Sequence, residues 1–331
     1  MIITKTPYRI SLFGGGTDYP DWYLKNGGEV ISFAIDKYLY ISCRNLPPFF
    51  KHKYRIVYSK IENAKKISQI KHRAVKEALK LYSDKLENSG LEIHYDGDLP
   101  ARSGMGSSSA FVVGLVNLLN NYTMQEISKR KLALQSLFLE QKILKETVGS
   151  QDQIAVSYGG FNSIVFKKNG DFKVMKILSK ESTNEFCENL FLVFTGINRT
   201  ADFVAKTYVS KLNNKNKPNI KKILEHVELC KNFLEKKNYD DIGLLLNETW
   251  SQKKSLSKIV TNHKIDYIYD HGIKNGALGG KLLGAGGGGF LLFYVNKKNQ
   301  NRFVERFKSF LLVKVKSAEK GSEVIFNDKK N

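Results

Sequence analysis

The stretch that decides the fold is PARSGMGSSSA, which spans residues 100–110. Before it, apolar and polar residues alternate over residues 91–95, which is the pattern of a β-strand. After it, residues 111–119 are rich in Val and Leu and predict a helix. The glycines of the stretch let an anion approach the backbone closely. Three small polar residues stand where the helix should begin: Ser107, Ser108 and Ser109.

This order of strand, glycine turn and serine-capped helix start favours a phosphate site. The first turn of a helix offers unpaired N–H groups and the positive end of the helix dipole, and both attract anions. A serine hydroxyl in the same turn can also ligate a magnesium ion carried by the phosphates. An ordinary serine-capped helix after a flexible turn remains the alternative. The candidate nucleotide-binding residues are Arg102, Ser103, Gly104, Met105, Gly106, Ser107, Ser108 and Ser109.

Two other phosphate-binding motifs are excluded by the letters of the sequence. A P-loop requires a lysine directly before its Ser or Thr, and Gly106 stands at that place before Ser107. Residues 284–289 fit GxGxxG, but they lead into FLLFYV at residues 290–295, which predicts a strand. A dinucleotide-binding fingerprint would lead into a helix, so this class of site is excluded.

Length and composition indicate a globular protein of two domains. The chain has 331 residues, 42% of them hydrophobic, and a domain typically takes about 150 residues. It contains no run of 18 apolar residues that could cross a membrane, and residues 1–7 lack the features of a signal peptide. The cysteines are few and scattered, as expected for reduced thiols in a cytoplasmic protein. They are Cys43, Cys187 and Cys230.

The formal net charge of +21 is compatible with nucleic acid or with small anionic substrates as partners. The excess is mostly lysine distributed along the chain, with a cluster at residues 206–222 that resembles a solvated face. A lysine-rich surface is therefore the simpler interpretation, and charge alone does not locate a site.

Near the N-terminus, residues 8–12 alternate as a strand and lead into a glycine loop. Arg9 and Asp18 lie on either side of that loop. A plain glycine-rich turn, with Asp18 capping the next segment, is the alternative interpretation.

Further elements are predicted along the chain. They are strands at 30–35, 38–43, 54–59, 162–166, 172–177, 191–195, 290–295 and finally 312–315, and helices at 68–82, 220–234, 239–256, 265–274 and 302–310, with a linker at 178–185.

One more helix is predicted to start at the capping-box pattern of Thr123 and to break before Gly149. Glu140 lies within it beside apolar residues. A carboxylate there is usually solvated, but a buried one facing a cation would be a ligand. Asp152 follows the break among small and amide residues, and could therefore point into a cleft.

Three separated stretches resemble the signature motifs of the GHMP kinases, the family of galactokinase, homoserine kinase, mevalonate kinase and phosphomevalonate kinase. They are YRISLFGGGTD at 8–18, PARSGMGSSSA at 100–110 and KLLGAGGGGF at 281–290. Each glycine motif alone is weak, but the ordered trio together with Asp152 is specific. Within the family, RISLFGGGTD, GSQDQ and TGINRTA are most similar to bacterial kinases of D-glycero-D-manno-heptose 7-phosphate.

The resemblance covers nearly the whole chain and implies an α+β fold of two domains, at residues 1–180 and 181–331. The first would be an ATP-binding domain similar to a ribosomal protein, with a left-handed βαβ crossover that departs from the usual right-handed rule. The second would be ferredoxin-like. ATP and sugar would then lie in the cleft between the two domains.

The resemblance also implies roles by position. Asp152 would be the catalytic aspartate, with Arg9 held beside it, and Ser108 and Glu140 would ligate magnesium. The acceptor substrate would contact Gly15, Gly16, Thr17, Asp18, Arg199 and Gly286. Galactokinases carry a Glu-His pair where this chain has Gly15 and Gly16. This difference argues against galactose and leaves space for a different or bulkier sugar.

The implied activity is ATP-dependent phosphorylation of the anomeric hydroxyl of a sugar phosphate, by a monomer or homodimer without nucleic-acid or membrane partners. Magnesium and helix-start amides would neutralise the phosphates, and Asp152, kept ionised by Arg9, would orient the hydroxyl with late proton transfer. Another sugar kinase, such as a fucokinase, remains an alternative. A basic RNA-binding protein is the other, although basic residues interleaved with exposed aromatics are not found.

Overall fold

The computed structural model describes residues 1–86, 90–199 and 201–328, which form two β-sheets with helices packed around them. The strands are β1 (Ile2–Phe13), β2 (Gly28–Leu46), β3 (Tyr54–Val57), β4 (Ile61–Ala64), β5 (Gly90–Gly97), β6 (Phe161–Phe166), β7 (Phe172–Leu178), β8 (Leu190–Phe194), β9 (Gly279–Leu282), β10 (Phe290–Tyr294), β11 (Leu312–Val313) and β12 (Glu323–Asn327). The helices are α1 (Pro20–Asn26), α2 (Arg73–Leu81), α3 (Ser107–Tyr122), α4 (Lys129–Leu137), α5 (Gln151–Tyr158), α6 (Lys180–Cys187), α7 (Ala201–Lys206), α8 (Lys217–Glu235), α9 (Tyr239–Lys254), α10 (His263–Lys274) and α11 (Gln300–Arg306).

The larger sheet has eight strands in the order β12-β1-β2-β5-β3-β4, and β6 and β7 extend it from β2. Its central strand β2 is 19 residues long, so the two strands predicted at 30–35 and 38–43 are in fact one. The sequence offers no Gly or Pro between them to break the strand. β1 follows it with a register shift between Pro7 and Tyr8. β3 pairs in parallel with β5, and α2 connects them along the chain.

The smaller sheet is antiparallel, in the order β11-β8-β10-β9. The strands predicted at 191–195 and 290–295 are confirmed as β8 and β10. β9 escaped prediction because Gly279 and Gly280 have low strand propensity. A Cβ on Gly279 would lie 2.0 Å from the carbonyl oxygen of Gly243 in α9. Glycine is therefore required there for helix and strand to pack closely.

The last strand of the chain is β12, and not the strand predicted at 312–315, which is shortened to β11. β12 pairs with β1 in antiparallel orientation and thereby returns the chain to the larger sheet. Its residues are mostly half-buried or exposed, so the apolar alternation that reveals a strand is weak. The division of the chain at residue 180 remains a prediction, with β12 lying across it.

The predicted linker at 178–185 is wrong, because most of it lies in helix α6. Ser179 caps this helix by accepting a hydrogen bond from the Ser182 amide at 3.2 Å. Thr183, Phe186 and Cys187 lie on one face and are buried. The polar sequence KESTNE concealed this periodicity, because only the end of the helix carries apolar residues.

The helix start predicted at Thr123 is also wrong. Helix α3 continues to Tyr122, and the Thr123 hydroxyl donates to the Leu119 carbonyl at 2.9 Å. The next helix, α4, begins six residues later and is capped by Ser128, which accepts from the Lys131 amide at 3.2 Å. After α4 the helix continues as a π-helical segment, Phe138–Ile143. This helical geometry is frequent at functional sites.

The other predicted elements agree with the structure apart from their ends. The hairpin at 162–166 and 172–177 and the helices at 220–234, 239–256 and 265–274 are confirmed. The cysteines Cys43, Cys187 and Cys230 are buried and free of disulfides, in accord with the sequence. Among the helices of the described residues, none is both long and apolar enough to cross a bilayer.

Candidate active site

A cleft of about 450 Å³ runs between the elements of the two sheets. It brings together residues that are far apart in sequence, and most of the predicted site residues line it. These are Arg9, Gly15, Gly16, Asp18, Arg102, Gly104, Gly106, Ser107, Ser108, Ser109, Asp152, Arg199 and Gly286. Four other predicted residues lie behind this lining and are fully buried: Thr17, Ser103, Met105 and Glu140.

Arg9 and Asp152 form a two-pronged ion pair in this cleft. The guanidinium donates from Nε to Oδ1 at 2.7 Å and from NH2 to Oδ2 at 2.6 Å. Its third nitrogen donates to the carbonyl of Gly104 at 2.9 Å. Arg9 is only 3% exposed, so this fork is held rigidly. β1 supplies the arginine and the first turn of α5 supplies the aspartate, which thus has a fixed orientation towards the cleft.

The glycine-serine stretch does begin a helix, but its cap differs from the prediction. Gly106 is the N-cap of α3, in a left-handed conformation with φ of 73°, and the serines form the first turn. Ser107 instead accepts a hydrogen bond at Oγ from the Arg102 amide at 3.1 Å. The opening N–H groups of a helix precede any intrahelical acceptor. At the edge of this cleft, they are therefore placed to bind an anion.

The second and third glycine motifs touch through their backbones. A Cβ on Gly104 would lie 2.6 Å from the Leu283 carbonyl oxygen, and one on Gly284 would lie 2.6 Å from the Gly104 Cα. The amide of Phe290 also donates to the Ser103 carbonyl at 3.1 Å. Glycine is thus needed because the two loops approach more closely than side chains would allow.

Gly104→Ala tests this contact. The residue has a φ of 80°, which costs about 1–2 kcal/mol for a residue with a Cβ, and the new methyl group would strike the Leu283 carbonyl. We expect KM for ATP to rise about 10-fold, because the loop must move. Gly170→Ala is the matched control, since its φ is 87° but its nearest neighbour, Leu24 Cδ2, is 3.8 Å away. Equal changes of KM in the two variants would contradict the prediction.

Ser108 and Glu140 lie side by side at the base of α3. The serine hydroxyl donates to Glu140 Oε1 at 3.2 Å, and Gln153 Nε2 donates to Glu140 Oε2. Glu140 projects from the π-helical segment and is fully buried, and this burial raises the pKa of its carboxyl to about 8. A cation would relieve the cost of burying the charge. A hydroxyl and a carboxylate oxygen are ligands that Mg²⁺ accepts, so the pair fits a magnesium site.

Asp18 is buried beside the first glycine loop. Its Oδ1 accepts from the Gly16 amide at 2.9 Å, and its Oδ2 accepts from Gln151 Nε2 at 3.0 Å. Burial raises the pKa of Asp18, and the Gly16 amide partly opposes the shift. A Cβ on Gly149 would lie 1.9 Å from Oδ2, so glycine there makes room for the carboxylate.

The remaining predicted substrate residues occupy different positions. Thr17 supports the first loop from below, with its hydroxyl 2.8 Å from the Gly14 carbonyl oxygen and 2.9 Å from that of Glu29. Arg199 is exposed on the cleft wall. Gly286 packs against Val260, and a Cβ on Gly286 would lie 2.9 Å from the Val260 Cα. Thr200, within the TGINRTA motif, lies outside the described residues.

Sequence reasoning missed two lysines of the cleft, the buried Lys281 and the half-buried Lys253. Lys281 donates to the Leu12 carbonyl at 2.7 Å, and Lys253 donates to the Leu282 carbonyl at 2.8 Å. Burial lowers the pKa of Lys281 to about 7 and that of Lys253 well below its usual value. Lys281 thereby joins the third glycine motif to the first, and Lys253 joins α9 to the third. A signal existed for Lys253, which follows the buried Trp250 by three residues on one face of α9.

Comparison with known proteins identifies the class of protein to which this cleft belongs. The family model described as the GHMP kinases N terminal domain matches residues 73–160, and that of the GHMP kinases C terminal matches 228–311. Together they cover more than half of the chain. The chain belongs to the GHMP kinase family, and it is an ATP-dependent phosphotransferase with an alcohol group as acceptor.

Particular relatives refine this class. A D-glycero-alpha-D-manno-heptose 7-phosphate kinase from Campylobacter jejuni is 29% identical over 93% of this chain and 93% of its own length. An L-fucokinase/L-fucose-1-P guanylyltransferase from Bacteroides fragilis is 26% identical over 87% of this chain, but only over 34% of its own length. Among solved structures, a D-glycero-D-manno-heptose 1-phosphate kinase from Bacteroides thetaiotaomicron aligns with a TM-score of 0.80, 22% identity and 99% coverage of both chains. The last likeness concerns the fold, which matches the α+β, two-domain expectation.

Proposed function

We propose that the chain is a sugar kinase that transfers the γ-phosphoryl group of ATP to the anomeric hydroxyl of D-glycero-D-manno-heptose 7-phosphate. The product would be the 1,7-bisphosphate, a precursor of nucleotide-activated heptose for surface polysaccharide. The carrying observation is the rigid Arg9–Asp152 pair, which lies in the cleft directly beside the start of α3. A Cβ on Gly106, the N-cap of α3, would lie 3.4 Å from Asp152 Oδ2. The full-length similarity to the C. jejuni heptose 7-phosphate kinase supports the choice of sugar.

In this proposal the residues of the chain act mainly by positioning, as phosphoryl transfer requires. The N–H groups at the start of α3 cradle the phosphates, and Arg9 holds Asp152 so that its carboxylate orients the attacking hydroxyl. Asp152 accepts the hydroxyl proton late in the transfer. Ser108 and Glu140 would hold the Mg²⁺ ion, which neutralises phosphate charge when bound.

The second candidate is another sugar kinase of the family, such as a fucokinase. It is favoured by the 26% identity to the bifunctional B. fragilis enzyme across 87% of this chain. An RNA-binding function has less support, because the phosphate-binding candidates line a cleft instead of an open surface.

A substrate panel tests the proposal. The purified protein is incubated with ATP, Mg²⁺ and one acceptor at a time: heptose 7-phosphate, unphosphorylated heptose, fucose, galactose and mevalonate. Phosphorus NMR then identifies the position of the new phosphate. A single new anomeric phosphate on heptose 7-phosphate is expected. Preferential phosphorylation of fucose would favour the second candidate, and turnover of mevalonate alone would overturn both.

Arg199→Ala tests how a phosphorylated sugar would be recognised. Arg199 is an exposed arginine of the cleft, and its planar fork can hold a phosphate through two hydrogen bonds. Hydrogen bonds to charged groups contribute about 1.5–3 kcal/mol each, so kcat/KM for the sugar phosphate should fall about 10–100-fold. KM for ATP should be unchanged. Unphosphorylated heptose, which has no distal phosphate, should lose much less.

The matched control for this prediction is Arg302→Ala, since Arg302 is also exposed but lies on α11, outside the cleft. It should retain the parent kinetics with both sugars. Equal losses for the two sugars in Arg199→Ala would show that this arginine does not bind the distal phosphate.

A further inference from the structure

Gln151 occupies a position that none of the roles above uses. It is the first residue of α5, directly before Asp152, and it lines the cleft although only 7% of it is exposed. A glutamine is rarely so well buried unless its amide is fully hydrogen-bonded. Both the nitrogen and the oxygen of its amide are therefore expected to have hydrogen-bond partners.

The nitrogen end of the amide is fixed by Asp18. Gln151 Nε2 donates to Asp18 Oδ2 at 3.0 Å, while Oδ1 of the same carboxyl accepts the Gly16 amide at 2.9 Å. A carboxylate only accepts hydrogen bonds, so the amide nitrogen must face it and the amide oxygen must point elsewhere.

The oxygen end has no partner. Gln151 Oε1 is buried and accepts no hydrogen bond from any residue that the structure describes. An unsatisfied buried acceptor is costly, and natural proteins keep few of them without a reason.

Open space lies beside this amide because residue 15 is a glycine. A Cβ on Gly15 would meet only Ser11 Oγ, at 3.9 Å, and Gln151 Nε2, at 4.0 Å. Gly16, by contrast, is already crowded, since its Cβ would lie 2.8 Å from Ile220 Cδ1. The first glycine loop thus leaves room for a group of the substrate above Gln151.

We propose that Gln151 is a specificity-determining residue of the acceptor subsite, whose Oε1 accepts a hydrogen bond from a sugar hydroxyl close to the reacting one. This inference rests on the proposed function, that the acceptor is a sugar. The occupant must be a donor, because a carbonyl oxygen only accepts. A phosphate group is largely doubly ionised at neutral pH and therefore mainly accepts hydrogen bonds, whereas a sugar hydroxyl can donate one without carrying charge.

The energetic consequence is selectivity. A site with a buried acceptor discriminates against an analogue that lacks the matching donor, because the acceptor then stays unpaired. The parent should therefore use one particular monodeoxy form of its sugar about 10–100-fold less efficiently than the intact sugar, measured as kcat/KM.

The test compares Gln151→Met with the parent on the intact sugar and on each monodeoxy analogue. Methionine keeps the size of the side chain but removes both the acceptor and the amide donor to Asp18. At one hydroxyl position, the ratio of kcat/KM between intact and deoxy sugar should fall from about 10–100 in the parent to near 1 in the variant. This ratio does not depend on how much of the variant is folded, because active enzyme concentration cancels.

The control is Gln135→Met, because Gln135 Oε1 accepts a hydrogen bond from Asn120 outside the cleft. It should show the parent ratio at every position. If Gln151 only supports Asp18, Gln151→Met will slow all acceptors by one common factor and keep every ratio, which overturns the inference. A parent that phosphorylates none of the intact sugars would instead overturn the proposed function, so the two failures are distinguishable.

Discussion

Replacing Asp152 by asparagine is expected to lower kcat by about 10²–10⁴, the scale of a positioned acid–base group. The carboxylate is held by two hydrogen bonds from Arg9, at 2.7 and 2.6 Å, and it lines the cleft. Asparagine keeps the shape, but it places an NH₂ group against the guanidinium and cannot take up the proton of the acceptor hydroxyl. KM for ATP should change little, because the start of α3 would hold the phosphates.

Asp171→Asn is the matched control for this substitution. Asp171 also pairs with an arginine, Arg130, but it lies on the hairpin between β6 and β7, outside the cleft. It should retain the parent kcat. Single-turnover measurements with ATP and acceptor separate the chemical step from product release. An Asp152→Asn enzyme that keeps most of its single-turnover rate would contradict a catalytic role for this residue.

The fold elements that the sequence predicts well are those whose pattern is decided locally. Helices α8, α9 and α10 carry apolar residues at 3.6-residue spacing, and β8 and β10 are short apolar runs. The elements that were missed depend on tertiary contacts. β9 begins with two glycines that only the packing of α9 explains. β12 is an edge strand of half-buried and exposed residues that needs β1 as its partner.

The candidate site shows the same division. Residues 100–110 could be predicted as a phosphate site from the local sequence alone, because strand, glycine turn and helix start are adjacent in sequence. The pairing of Arg9 with Asp152 joins residues 143 positions apart and was expected only from family resemblance. Lys281 and Gln151 could not be assigned from sequence, because their burial depends on partners that are distant in the chain, Leu12 and Asp18.

Glu140→Gln and Ser108→Ala are expected to weaken magnesium use together, because both side chains would contact one ion. Mutating a residue that only hydrogen-bonds to a metal ligand lowers metal affinity about 10–100-fold. Losing a direct carboxylate ligand should therefore raise the magnesium concentration for half-maximal activity about 100-fold or more. Turnover at a fixed low magnesium concentration should fall in parallel. Calorimetric titration of Mg²⁺ into the enzyme–ADP complex gives the same shift without relying on activity.

Stability separates loss of the ion from loss of the fold. Burial raises the pKa of Glu140 to about 8, so the fold favours the neutral carboxyl, and glutamine resembles that form. Metal-free Glu140→Gln should therefore unfold at a temperature close to that of the parent. Glu92→Gln is the matched control, because Glu92 is also buried but pairs with Arg44 on the larger sheet. It should lose stability while keeping the parent's magnesium midpoint. A Glu140→Gln or Ser108→Ala enzyme that titrates with magnesium like the parent would exclude that residue as a ligand.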